Sequence, residues 1–170
     1  PNNFPFPDER FTVGFSHFVL EHTVYPQIFL KECSRVLKKE GILIIICPEF
    51  LKYNWIASQR VGFSQGSGRE KWKNGSFFDA VITGVDSKIR LPIVCRSIRK
   101  KAARSPQFMI NLNPTCFTDK FVADVDATYV THEDEIRRYL SNDFNWQEVL
   151  PEIKAFCRKR RLIYLKGQKK

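Results

Sequence analysis

The chain has 170 residues, a net charge of +10, 43% hydrophobic residues and 27% charged residues. These are globular values, sufficient for one domain with a real core, and they exclude a wholly disordered or fibrous chain. The longest apolar run, Ile42 to Cys47, is far short of the ~18 residues of a membrane span, and Pro1 to Arg10, with three prolines and mixed charge, is not a secretory signal.

Phe4-Pro-Phe-Pro-Asp8 is expected to be rigid and extended, because each proline fixes its own φ and restricts the residue before it. Phe11 to Phe18, aromatic and β-branched with Gly14 inside, reads as a buried strand. Val19-Leu-Glu-His22 reads as a short helical turn. Pro26 suits the first position of a helix, and Ile28, Phe29, Cys33, Val36 and Leu37 fall on one face of a helix over 27–39. The basic last turn (Arg35, Lys38, Lys39) suits its carboxyl end, and Gly41 supplies the stop. Ile42 to Cys47, closed by Pro48, has the pattern of a central parallel strand covered by helices on both faces. Phe11 to Cys47 is thus predicted to be a βαβ unit with a right-handed crossover.

After Pro48 the character changes. Phe50 to Gln59 is expected to be an aromatic-rich helix, and Gly62 to Ser76, with four glycines and several serines, a flexible loop. Ile89 to Ala103 reads as a basic helix broken at Pro92, and Phe108 to Leu112 as a strand. Thr131 is the expected N-cap of a helix running to about Leu140, with acids in its first turn. Phe144 to Val149 and Leu162 to Leu165 are strand candidates. Glu152 to Lys159 fits helix and strand equally.

The positive charge is uneven. Lys88 to Arg104 holds seven basic residues and no acid, and Arg158 to Lys170 another seven and no acid, whereas Asp119 to Glu152 holds nine acids and three bases. Such asymmetry suits an anionic partner: nucleic acid, a lipid headgroup or a phosphorylated substrate. The five cysteines (Cys33, Cys47, Cys95, Cys116, Cys157) form no CxxC pair and no zinc spacing, so reduced, mostly buried thiols of a cytosolic protein are expected.

In order and spacing, Pro5-Phe6-Pro7-Asp8, Phe11, Ser16, Val19-Leu20-Glu21-His22, Pro26, Leu30, Glu32, Arg35-Val36-Leu37-Lys38, Gly41 and the Ile-rich strand closed by Pro48 resemble one part of a class I S-adenosylmethionine-dependent methyltransferase. The type resembled is the small-molecule one with a VLEH motif. Asn113-Pro114, Asp124-Val-Asp126-Ala-Thr-Tyr129 and Ile136-Arg-Arg-Tyr139 match its acceptor side and a late helix more loosely, and Arg161 to Gly167 its final strand. The resemblance implies an α/β fold: a partial Rossmann-like methyltransferase sheet, its fourth to seventh strands, with a helical and loop insertion. Residues 1–50 and 129–170 would be the incomplete core, and 51–128 a variable lid or acceptor insertion.

By the same resemblance, Phe15, Ser16, His17 and Glu21 would lie beside the methyl donor, S-adenosylmethionine. His22 would sit near the reacting methyl, and Pro48 and Glu49 would open toward the acceptor, with Tyr53 and Trp55 on its wall. The sequence also departs from the family. It contains no GxGxG loop following a strand, and the family's adenine-contacting acid would align just before Pro1. Thr12 replaces an Asp, and Lys39-Glu40-Gly41 replaces Pro-Gly-Gly. Phe18 stands where some quinone-modifying relatives place a metal-binding Glu, so no metal is expected. The starting proline then reads as a cut after the third strand. The chain alone is expected to bind the donor weakly or not at all, and to be inactive.

The reaction implied is an in-line displacement at a sulfonium, in which positioning alone can be worth ~7–11 kcal/mol. A hydroxyl acceptor must also lose its proton, and histidine is the residue type suited to take it near neutrality. His22 is the first candidate and His17 the second, while His132, in a helix first turn, reads as local structure. Phe50, Tyr53, Trp55, Phe63 and Trp72 would form a lid, an acceptor wall or a satellite apolar cluster. Ile89, Ile93 and Ile98 give the basic helix an apolar periodicity that suits an interface. The acceptor would be a small molecule or lipid, with an anionic substrate among the options, in the cytoplasm. An exposed edge at Phe11 to Phe18 would invite self-association. The alternative reading is a non-catalytic basic module that binds nucleic acid or a membrane surface, although no RNA-binding or helix-turn-helix motif is present.

Overall fold

The computed structural model describes residues 3–54, 68–110 and 126–170. Strand β1 (Phe11–His17) leads through a 3-10 turn (Leu20–His22) into helix α1 (Pro26–Val36), which delivers the chain to strand β2 (Leu37–Pro48). Helix α2 (Gly68–Lys73), helix α3 (Phe77–Val85), a π turn (Asp86–Arg90) and helix α4 (Leu91–Ala102) follow. Helix α5 (Glu133–Tyr139), strand β3 (Phe144–Trp146), helix α6 (Pro151–Arg160) and strand β4 (Leu162–Lys169) complete the chain.

The four strands form one mixed sheet in the order β1-β2-β4-β3. β1 and β2 are parallel, with Ser16 level with Ile45 and His17 with Ile46, so the expected βαβ unit is present. β4 runs antiparallel to β2 and β3 antiparallel to β4. The apolar run of β2 is interior but not covered alike on both faces. Leu43, Ile45 and Cys47 are buried with Leu30 and Cys33 of α1 and Ile136 and Leu140 of α5. The alternating Ile42, Ile44 and Ile46 are only half-buried. Both helices draw their apolar faces to one side of the sheet, and each Leu or Ile buried there contributes about 1.5–3 kcal/mol. Cys157 of α6 lines a cleft together with Leu162 and Tyr164 of β4.

Several predicted boundaries move. Helix α1 ends at Val36, three residues early, because Leu37 pairs with Phe11 at once. Lys38 to Glu40 then bulge out before Ile42 pairs with Val13, and Glu40 takes φ 62°. Gly41 is needed for close approach rather than as a helix stop, since a Cβ there would lie 2.7 Å from the Lys38 carbonyl oxygen. Gly68 opens a helix inside the expected loop. Pro92 does not break the basic helix: it falls in the first turn of α4, where a proline is tolerated, and the chain continues helical to Ala102. Glu152 to Lys159 is helical, β3 is shorter than expected and β4 longer. Ile110 makes only an isolated bridge to Tyr129. A second, smaller cluster joins Phe50, Leu51, Leu91, Cys95, Ala127 and Val130, so Phe50 is a core residue.

Candidate active site

The segment that carries the sequence resemblance is held by one side chain. Arg35 donates from Nε to Glu32 Oε1 (2.8 Å), from Nη2 to Glu32 Oε2 (2.7 Å), and from Nη1 to Asp8 Oδ1 (2.6 Å) and the Phe6 carbonyl (2.9 Å). The Phe4 N–H donates to Glu32 Oε2 (2.8 Å), so Phe4 to Asp8 is pinned against α1. These hydrogen bonds from Arg35 hold the Glu32 carboxyl below the usual carboxylate range, against the desolvation that opposes them. Asp8, Glu32 and Arg35 thus build the support of the βαβ unit.

At the carboxyl end of β1, alternation divides the candidates. Ser16 faces the core, and its hydroxyl is buried with no hydrogen-bond partner among the described residues. Phe15 and His17 face the open side, where their rings stack at 5.8 Å. The chain leaves the strand through Phe18, whose φ of 53° is unusual for a bulky side chain. The Phe18 N–H donates to the Ile46 carbonyl at 2.9 Å, which fixes that turn against β2.

The 3-10 turn then places Glu21 inside and His22 at the surface. The Glu21 side chain is fully buried, and its carbonyl accepts the N–H groups of Thr128 (2.7 Å) and Tyr129 (2.8 Å). That pair of bonds holds the segment after residue 125 against the turn. His22 is 40% exposed, with Nδ1 3.5 Å from Asp126 Oδ2 and Nε2 3.8 Å from Glu21 Oε1. An imidazole is the side-chain type that can take the proton of a hydroxyl near neutrality, and this one lies between two carboxylates. The sequence included Asp126 only in the looser acceptor-side match, and its pairing with His22 was not foreseen.

Pro48 and Glu49 lie at the same end of β2, turned inward. The Pro48 carbonyl accepts a hydrogen bond from the Thr131 hydroxyl. The Glu49 carboxylate takes three donors from the protein: the N–H of Glu133 (2.9 Å), the N–H of Lys52 (3.1 Å) and Nδ1 of His132 (3.1 Å). Glu49 therefore supplies the cap of α5. Thr131 is not the N-cap; His132 occupies that position and makes no side-chain cap of its own. Glu135 plays a similar part, accepting the Tyr129 hydroxyl (2.7 Å) and the Phe108 N–H (2.9 Å). Both carboxylates tie distant segments to α5, which local sequence patterns do not reveal.

Tyr53 lines a cleft of about 730 Å³ together with Lys52, Arg137, Trp146, Lys154 and Tyr164. Trp55 and Phe63, which were also expected at the acceptor side, lie outside the described residues. Trp72 is exposed and packs on Phe77.

The sequence model of a family described as a methyltransferase domain matches residues 1–45. No curated protein matches the chain. Among solved structures the chain is similar to one from Bacillus halodurans C-125, described as a "putative methyltransferase". The identity is 14% and the TM-score 0.41, over 98% of this chain and 70% of that one. The family match covers the same stretch as the motifs from Pro5 to the Ile-rich strand, and the four strands form a partial α/β sheet. Residues 1–45 are thus similar to a methyltransferase domain.

Proposed function

We propose that the chain takes part in methyl transfer from S-adenosylmethionine to a small molecule, lipid or sugar precursor, at the carboxyl ends of β1 and β2. Open α/β sheets bind their ligands at that edge. The reading is supported most by the buried Ser16 hydroxyl, which has no partner among the described residues and stands at the end of β1, just before the Glu21–His22 turn. A buried hydroxyl of that kind calls for a polar ligand or water. These residues fit the amino-acid end of the donor. The sequence supplies no GxGxG loop for its nucleoside end, so the chain by itself binds it weakly.

When bound, S-adenosylmethionine supplies an electrophilic methyl on a sulfonium. In this reading Ser16 and Glu21, on the inner side of the strand end, hold the donor's polar end, while Phe15 and His17 lie on the other face of β1 and turn away from it. His22 takes the proton of an acceptor hydroxyl, and Asp126 steadies the imidazolium. Tyr53 borders the acceptor, and Pro48 and Glu49 act only by holding the end of β2 against α5. The free, buried Cys33, Cys47, Cys95 and Cys157 suit a reducing compartment, and we place the protein in the cytoplasm. The edge of β1, which has no strand partner among the described residues and where Val13 and Phe15 are more than half exposed, suits self-association.

Calorimetry with S-adenosylmethionine tests the reading. Weak or no heat is expected from the 170-residue chain, and a saturable isotherm from a version extended upstream in the coding sequence. Failure of the extended version to bind overturns it.

A further inference from the structure

Helices α3 and α4, joined by the π turn, present one exposed apolar stripe. Phe78, Val81, Ile82, Val85, Ile89 and Ile93 recur at spacings of one, three or four residues, and all are exposed, Phe78 to 81% and Ile93 to 63%. The opposite face, with Ala80, Thr83, Asp86, Leu91, Cys95 and Ala102, is buried. The stripe is thus the outer face of a helix already packed on its inner one. Trp72 and Phe77, both exposed, pack at 4.8 Å between ring centroids at its amino-terminal end.

The charge around the stripe has one dominant sign. Residues 68–104 hold ten Lys or Arg against three acids. One of those acids, Asp86, is buried and bonded to Arg90 at 2.7 Å. Beyond Ile93, Arg96 and Lys100 continue the same face at helical spacing as exposed cations, with Arg99 and Lys101 beside them. An exposed apolar patch of this length marks an interaction surface.

We propose that the α3–α4 stripe docks on an anionic lipid bilayer, lying in the plane of the interface. No helix among the described residues is long and apolar enough to cross a membrane. An amphipathic helix with aromatic and branched aliphatic residues on one side and cations around it binds by burying the first and pairing the second with lipid phosphates. Trp72 is the residue type that settles at headgroup depth. The charge decides against the other occupants. A second copy meeting this one stripe to stripe would bring like charges together, and a nucleic acid would leave the apolar residues in water. The inference is independent of the methyl-transfer reading; either can fail alone.

Flotation of the 170-residue chain with phosphatidylcholine vesicles, with and without phosphatidylglycerol, tests it. Wild type is expected to float with the anionic vesicles and to stay behind with the neutral ones. The double substitution Phe78→Ser, Ile93→Ser should cut the bound fraction about tenfold or more, because it removes apolar contact while leaving every charge in place. Both side chains are exposed, so the circular dichroism spectrum should be unchanged. The proposal is overturned if wild type does not float with anionic vesicles, or if the double variant floats equally well. It is also overturned if light scattering shows a lipid-free dimer that the double variant breaks, since a second copy would then occupy the stripe.

Discussion

The carboxylate of Glu49 and Nδ1 of His132 meet at 3.1 Å, across 83 residues of sequence and with both side chains only 2% exposed. The contact joins the end of β2 to the start of α5, and the same carboxylate caps Glu133. Removing one partner of a buried pair leaves the other unsatisfied, at a cost of about 3 kcal/mol. Glu49→Ala should therefore lower the stability measured by urea unfolding by about that amount, and Glu49→Gln by less. A midpoint unchanged in Glu49→Ala would show that the carboxylate is not structural.

Acid should loosen the amino-terminal support. Glu32 has its pKa lowered in the folded chain, chiefly by the hydrogen bonds from Arg35. A lowered folded pKa stabilises the fold fully above the ordinary value, 4.5, and that contribution is lost as pH falls through the folded value. The thermal midpoint of wild type is expected to drop between about pH 5 and pH 3. Glu32→Gln should start lower by a few degrees at neutral pH and lose less on acidification. Parallel pH profiles for the two proteins would contradict this.

The described thiols should be slow to react. Burial pushes Cys33 up to about 12 and Cys95 to about 11, and it holds Cys47 well above the ordinary value. The thiolate is the reactive form, so a Cys116→Ser background should release little chromophore from Ellman's reagent when native. On unfolding it should release four equivalents, for Cys33, Cys47, Cys95 and Cys157. Rapid release from the native protein would contradict their burial.

The β1 edge gives a fourth expectation. Its outer backbone groups carry no strand partner among the described residues, and Val13 and Phe15 add apolar surface. Light scattering should show mass rising with concentration, and Thr12→Pro or Val13→Lys should reduce it. A clean monomer at high concentration would contradict the expectation.

How far the sequence disclosed all this depended on distance along the chain. The β1, 3-10, α1 and β2 order was legible because periodicity, Pro26 and the Ile-rich run all act locally. Helix α3 was not, since Val81, Ile82, Thr83 and Val85 are β-branched and favour strands in isolation, and packing on its inner face overrides that preference. The sheet order was hidden because Ile45 pairs with Leu165, far along the chain. The VLEH resemblance singled out Ser16, Glu21 and His22 as candidates, but the carboxylate of Asp126 beside His22 depends on backbone bonds to Glu21 that no spacing encodes. The inward turn of Glu49 was hidden for the same reason.

The central claim is that the carboxyl end of β1 and the turn after it hold the methyl donor. The most direct test is ultraviolet photolabelling of the upstream-extended chain with methyl-labelled S-adenosylmethionine, followed by tryptic mapping. Cleavage after Arg10 and Lys31 isolates Phe11 to Lys31, which contains Phe15, Ser16, His17, Glu21 and His22. The account predicts that this peptide carries label and that excess unlabelled donor removes it. Label confined to other peptides, with Phe11 to Lys31 clean, would contradict it.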